Sequence, residues 1–256
     1  WDLFAAQDII LRNSILNYGA FPIWNPYING GFPYVADPFL HIFNPFFAVP
    51  VRVLGEVGGT KMALLLAFLI AGIGQYLLGY YLGLGRFARL WSAAVFMMNG
   101  QFVARFLQGH YNFQPTAAWI PLVFLSAVMC FKSKHRWPVL VGSVAAALMW
   151  LSGNPYYPLY VASALVPVVA ISAIDIDINQ PSFRINWRGV MRSLAMATLA
   201  LALSSVALLP QLEMTPRLAK PVEPGLNGSQ PPHTAIINFL ADDVRFANSD
   251  LLGKIP

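Results

Sequence analysis

From Lys61 to Gly85 the chain reads KMALLLAFLIAGIGQYLLGYYLGLG, with no charge after its first residue. About 20 such residues suffice for a helix to cross the hydrocarbon of a bilayer. A backbone placed there must satisfy its own hydrogen bonds, which leaves helices or closed barrels. Five further runs share this character: Leu90–Ala104, which carries Asn99 and Gln101, then Pro115–Phe131, Trp137–Leu151, Tyr157–Ile174 and Ser193–Leu209. Only 11% of the residues are charged, against about one quarter in a soluble domain. The expected fold is an all-α polytopic membrane protein with these six runs as its spans.

The cations orient the spans. Alternate connections hold Arg86 and Arg89, then Lys132, Lys134 and Arg136, then Arg184, Arg188 and Arg192; together these carry eight Lys/Arg and two acids, Asp175 and Asp177. The opposite side holds nine acids and the other eight cations, spread over far more chain. Short cation-rich loops stay in the cytoplasm, so residues 1–60, the 105–114 connection, the 152–157 connection and the tail after Pro210 are expected outside. The net charge of +5 follows from this arrangement, and no nucleic-acid partner is inferred. The single cysteine, Cys130, gives neither a disulfide framework nor a thiolate metal site.

Three regions result: an outer loop over 1–60, a transmembrane bundle over 61–210, and the start of an outer segment over 211–256, in a chain expected to continue at both ends, with a span ahead of Trp1. In the outer loop, Leu11, Ile15 and Tyr18 share one helical face and Asp8 and Arg12 another. That pattern predicts an amphipathic helix in the membrane interface, ended by Gly19. FPIWNPYINGGFPYVADPFLHIFNPFFAVP follows, from Phe21 to Pro50. Its prolines restrict helices to a few turns, and its aromatic residues suit the interface. The expectation is an ordered interfacial segment that does not cross the bilayer.

Candidate polar residues gather on this outer side: Asp2, Asp8, Trp24, Asn25 and Asp37 from the first loop, Arg105 and His110 from the second, Asn154 from the third, and Glu213 and Arg217 from the last. Each also has a plainer reading. Asp2 and Asp8 serve as solvated charges or as catalytic carboxylates. His110 caps a turn, or binds phosphate and relays protons. Trp24 anchors the interface. Asn25 and Asn154 precede prolines and suit turns. Arg217 is a loop charge or a phosphate ligand. Gly79 and Gly83 form a G-x-x-x-G spacing that suits close helix packing. No HExxH, GxSxG or P-loop is present, and the four histidines make no zinc constellation, His135 falling on the opposite side.

The series WDLFAAQ, YGAFPIWNPYINGGFPYVADP, GHYNFQPTAAWIPLVF, LSGNPYYPLY and VALLPQLEMTPR resembles the YfhO-like bacterial membrane proteins, which belong to the GT-C group of polytopic glycosyltransferases. The likeness runs in order from Trp1 to Arg217, and its most specific pieces are G-x-x-P-x-W-N-P…G-G-x-P and L-L-P-x-x-E…R. It implies a GT-C-like helical bundle in the cytoplasmic membrane. It also implies an enzyme that takes a sugar from a polyprenyl-phosphate donor and attaches it to an acceptor outside, such as a cell-envelope polymer. The usual catalytic acid of that group follows its first span, a place that Asp2 fits and, second, Asp8. Arg105, His110 and Arg217 are the cations available to the leaving phosphate. Where relatives carry a G-H-x-Q type motif, this chain has GNPYY, with Asn154 in place of histidine. No metal is assigned.

Two other classes remain in play. A transporter or flippase usually needs ionisable groups inside its spans; none is found well inside these, where Gln75, Asn99 and Gln101 are the strong polar candidates. A non-catalytic subunit of a larger membrane assembly would keep the fold without the chemistry. Membrane lipid and lipid-linked sugar are the partners expected in the first reading, and further membrane proteins in the last.

Overall fold

The computed structural model describes residues 2–26, 31–100, 104–105, 109–176 and 183–214. The helices are α1 (Asp2–Tyr18), α2 (Pro45–Tyr81), α3 (Arg86–Met97), α4 (Phe113–Ala117), α5 (Ile120–Lys132), α6 (Trp137–Trp150), α7 (Tyr156–Ser172) and α8 (Trp187–Met214). Strands β1 (Trp24–Asn25) and β2 (Phe32–Pro33) pair antiparallel, as do β3 (Ile174–Ile176) and β4 (Phe183–Ile185). The protein is thus mostly helical. Trp1–Arg217 forms one compact unit, joining the expected 1–60 and 61–210 regions; a second unit, Leu218–Pro256, lies outside the described residues.

Among the described residues, three helices are long and apolar enough to cross a membrane: Pro45–Tyr81, Phe113–Lys132 and Trp187–Met214. α6 and α7 are apolar but shorter, with 14 and 17 residues. At 1.5 Å per residue these reach about 21 and 26 Å, under the roughly 30 Å of the hydrocarbon core. The expected second span, Leu90–Ala104, begins within the 12-residue α3, which ends at Met97 with Met98 as its C-cap; its residues 101–103 lie outside the described residues. α3 lies along α2, where Phe96 and Met97 pack on Ala67 and Ala71, and it leaves Phe87, Leu90, Trp91 and Val95 exposed.

The prolines after Phe21 keep helix short, as expected: the helix that Pro45 opens runs only to Leu54, before the break at Gly55. Pro45 takes the first position of α2, where its missing N–H is harmless, and the Asn44 side chain accepts from Phe46 N at 2.9 Å. The long apolar helix starts directly after Gly55, so the 60/61 boundary falls inside it. α2 breaks at Gly55 (φ 77°, ψ 175°), a conformation that a side chain resists. Four residues on, Gly59 meets the Val51 backbone so closely that a Cβ has no room.

The core lies where α5, α6, α7 and α8 meet, built on Trp119, Val123, Cys130, Leu148, Val161 and Met196. Small residues let these helices approach. Gly142 leaves no space for a Cβ against Met196 and Ser126, and Gly189 none against the Phe131 ring. Ser143 donates to Met196 O at 2.9 Å across the α6–α8 contact. Of the expected glycine pair, Gly79 packs against Leu84 and Arg89, whereas Gly83 (φ 80°) meets open space and makes the turn after α2. Outward faces carry Leu65, Leu69 and Ile73 on α2 and Leu194, Leu201 and Leu209 on α8, all exposed, as a lipid-facing surface requires.

The two ends of the bundle differ. At one end Arg192 donates to Ser133 O (2.6 Å), Lys134 O (3.2 Å) and Cys130 O (3.4 Å), and Asn186 donates to Phe131 O. The 132–136 and 184–192 connections therefore lie together, as the charge alternation requires. At the other end Asn44 Nδ2 donates to Ser152 Oγ (2.8 Å), Asn112 Nδ2 to Gly153 O, and Gln211 Nε2 to Asp37 O (3.4 Å). These bonds tie the first loop, the 109–112 connection, the 151–155 connection and the end of α8 into one cap.

Candidate functional site

The cap is built around Asp8. Its Oδ1 lies 2.8 Å from His41 Nε2; its Oδ2 accepts from Thr60 Oγ1 at 2.7 Å and from Tyr111 OH at 3.4 Å. Asp8 and His41 are each 0% exposed. The helical wheel expected Asp8 on a polar face, but it is buried beside Leu11, three residues on, where the helical period brings both to one side. The physical reason is satisfaction: a carboxylate leaves water when donors meet both oxygens. The same face packs Leu11, Ile10 and Ile15 on Tyr34, Leu40 and Ile42. Tyr18 is instead exposed. α1 ends as expected at Gly19 (φ 61°), with Gly19 N bonded to Ile15 O.

Burial pushes the phenols of Tyr34 and Tyr111 far above their ordinary range, and the Asp8 carboxylate adds to it in both. Both therefore stay neutral, and Tyr34 OH donates to Gln7 O at 3.1 Å. Asp8, sealed among such donors, braces α1 against α2 and the 109–112 connection and touches no open surface.

Asp37 differs. It is partly exposed, and burial raises its carboxyl above the ordinary range, opposed by the Phe39 amide and by His41. Oδ1 accepts from Phe39 N at 2.9 Å. Its main-chain carbonyl receives Gln211 Nε2, and Gln211 Oε1 receives Trp150 Nε1 at 3.3 Å. Trp150 also lines an apolar groove of about 280 Å³ between α5, α6, α7 and α8, with Val123, Met149, Leu159 and Leu201. The groove wall at Trp150 is thus linked through Gln211 to the main-chain carbonyl of Asp37.

A second rim stands on Phe113. The Arg105 guanidinium lies over its ring at 5.2 Å, His110 packs edge-on at 5.8 Å, and Tyr157 edge-on at 5.7 Å. Tyr157 precedes Pro158, which lines the same groove. Phe39, two residues after Asp37, meets the Tyr156 ring at 6.2 Å. The two rims therefore join through residues 37–39 and 156–158.

The three asparagines followed by proline, Asn25, Asn44 and Asn154, are all 0% exposed. Asn44 and Asn154 both accept from the amide two residues on (Phe46 and Tyr156), the turn geometry this pair of residues favours. Asn154 thus holds the turn before α7 and offers no open ligand face. Trp24 is 56% exposed on β1. Its indole lies over Gly31 (φ 104°), where a Cβ would sit 2.7 Å from Nε1, which explains one glycine of the G-G-x-P motif.

Asp2 opens α1, and Glu213 is exposed on the last turn of α8. Arg217 lies outside the described residues. The structure therefore gathers Asp8, Asp37, Arg105, His110 and Asn154 in one cap, with Trp24 on its exposed hairpin. Sequence reasoning missed His41, Tyr34, Thr60, Tyr111 and Ser152. His41 had a signal, a lone imidazole in the apolar run FLHIFNPFF. Asn44 had another, the third Asn-Pro pair. Among the described residues no group of three or more His, Cys, Asp or Glu could hold a metal ion. In comparisons with known proteins, no family model, no curated protein and no solved structure matches this chain.

Proposed function

We propose that this chain belongs to a membrane glycosyltransferase that moves a sugar from a polyprenyl-phosphate carrier to an acceptor outside the cytoplasmic membrane. The observation that carries the reading is an apolar groove whose Trp150 wall is linked through Gln211 to the main-chain carbonyl of Asp37, together with the Arg105–His110–Phe113 cluster in the same cap. A lipid phosphate needs an apolar slot for its chain, cations for its head and a carboxylate nearby for the acceptor. In this reading the bundle is polytopic and GT-C-like, the arginine-rich end is cytoplasmic, and the cap lies outside.

The chemistry balances simply. The acceptor hydroxyl oxygen attacks the anomeric carbon, and a carboxylate takes its proton. The bond from that carbon to the phosphate oxygen breaks, and the lipid phosphate leaves as an anion. Asp2 is the proposed base, on the family resemblance; Asp37 is the described carboxylate whose exposure and raised proton affinity suit it to hold the acceptor or take over that role. Arg105 and His110 stabilise the departing phosphate. Asp8 has a bracing role.

The test uses the full-length protein in proteoliposomes with radiolabelled polyprenyl-phosphate sugar. Transfer to an acceptor, reduced in Arg105→Ala, supports the reading. Movement of the lipid across the bilayer without transfer would replace it with a flippase. Purification at fixed stoichiometry with other membrane proteins, without bound polyprenyl phosphate or transfer, would replace it with a structural subunit.

A further inference from the structure

The opposite end of the bundle carries a site that the transferase reading does not use. A groove of about 500 Å³ runs between the first turns of α6 and α8, lined by Arg136, Val139, Leu140, Arg188, Met191, Arg192 and Ala195. Its volume falls within the roughly 300–1,000 Å³ usual for small-ligand sites. Three guanidinium groups ring an otherwise apolar wall. Among the described residues the close acid–base contacts are Arg12–Glu56 and His41–Asp8; neither involves these arginines.

Their positions are partly fixed. Arg192 is held by the carbonyls of Cys130, Ser133 and Lys134, and Arg188 NH2 lies 3.5 Å from Lys134 O. Arg136 is exposed; its carbonyl accepts from Val139 N at 3.1 Å, and its side chain makes no hydrogen bond or ion pair among the described residues. Arginine offers five donors in a fork suited to phosphate, so bonds to carbonyls leave donors to spare. The first turns of both helices converge here, adding their partial positive charge. Trp137 and Trp187 open the two helices, both exposed, as interface anchors are. Leu140 and Met191 are exposed too, so the apolar wall continues toward the hydrocarbon.

We propose that this groove binds an anionic phospholipid, with Arg136, Arg188 and Arg192 around the headgroup phosphate and the acyl chains along Leu140, Met191 and Ala195. Charge and apolarity together select this occupant. A free anion would gain nothing from the apolar wall, and a zwitterionic lipid would bring its own cation against three others. Basic pockets between membrane helices on the cytoplasmic side take such headgroups. The inference rests on the membrane reading and not on sugar transfer.

The test reconstitutes the full-length protein into bilayers of equimolar phosphatidylglycerol and phosphatidylcholine, then reads the lipids retained on extraction by native mass spectrometry. Wild type retains phosphatidylglycerol preferentially. Each basic residue near an anionic surface contributes about fivefold, so Arg136→Gln with Arg188→Gln lowers the preference roughly 25-fold. Arg192 is left intact because it anchors the end of α5. If the double variant fails to fold, Arg136→Gln alone serves, with a loss of roughly fivefold. Equal retention of both lipids by wild type, or an undiminished preference in the variant, would overturn the inference. So would displacement of the lipid by inorganic phosphate alone. Failure to enter bilayers at all would overturn it together with the membrane reading.

Discussion

Replacing Asp8 by alanine removes the carboxylate on which His41, Thr60 and Tyr111 converge. All three lose an acceptor inside a site where Asp8 and His41 are 0% exposed. Leaving a buried donor without its acceptor costs about 1–3 kcal/mol, so losing the acceptor of His41 and Tyr111 together costs about 2–6 kcal/mol. Asparagine should do far less damage. Its Oδ1 can still accept from His41, and its Nδ2 can donate to Thr60, whose hydroxyl proton already has a second acceptor in Glu56 O at 2.6 Å. The loss is then the difference between charged and neutral acceptors, about 1–2 kcal/mol in total. Thermal unfolding in detergent, followed by fluorescence-detected size exclusion, reads the ranking. Asp8→Ala should fall by on the order of 10 °C and Asp8→Asn by a few degrees, taking about 2–4 °C per kcal/mol. Folded Asp8→Asn should still transfer sugar, because Asp8 does not meet the acceptor. An Asp8→Ala protein within about 2 °C of wild type would refute the bracing role, and a stable but inactive Asp8→Asn would move the chemistry to Asp8.

Three further outcomes follow from the same cap and bundle. Gly153 (φ 78°) and Gly19 (φ 61°) share a left-handed backbone, but a Cβ at Gly153 would lie 2.5 Å from Phe39 O while Gly19 faces open space. Alanine at either should cost about 1–2 kcal/mol in strain, with a further loss at Gly153 alone; equal melting temperatures for the two variants would deny the contact between the 151–155 connection and the first loop. Because folding raises the proton affinity of Asp37, the native state binds more protons than the unfolded chain between the ordinary carboxylate pKa and the raised value. Stability should therefore fall as pH rises through that window; Asp37→Asn, which can still accept from Phe39 N, should flatten the slope, and an unchanged slope would count against the burial of Asp37. In a Cys130→Ser background, Lys134→Cys and Arg188→Cys should label from the cytoplasm and Tyr156→Cys from outside, and the reverse pattern would overturn the orientation.

The apolar runs made the helical class legible, because a span of hydrocarbon demands residues of one kind at a stretch. Lengths were less legible. Hydropathy ran through Leu90–Ala104 without registering the end of α3 at Met97, and it began the first long helix at Lys61 although that helix follows directly on the break at Gly55. The prolines were read as keeping helices short, which holds for the helix that Pro45 starts and Gly55 ends. At the site, charge was read as exposure. That holds for Glu213 and fails for Asp8, whose partners come from 33, 52 and 103 residues away. No periodicity within α1 carries that information. The three Asn-Pro turns were legible in type but not in burial, since their enclosure depends on the whole cap.

Turnover of a polyprenyl-phosphate sugar by Asp2→Asn and wild-type full-length protein, at matched expression in proteoliposomes, bears most directly on the proposed activity. Wild type should transfer sugar. Asp2→Asn should insert and fold as wild type does and lose roughly 10²–10⁴-fold in rate, the usual cost of removing a general base. Undiminished transfer by Asp2→Asn alongside an inactive Asp37→Asn would move the base to Asp37. No transfer by the wild-type protein with any polyprenyl-phosphate sugar would contradict the glycosyltransferase reading itself.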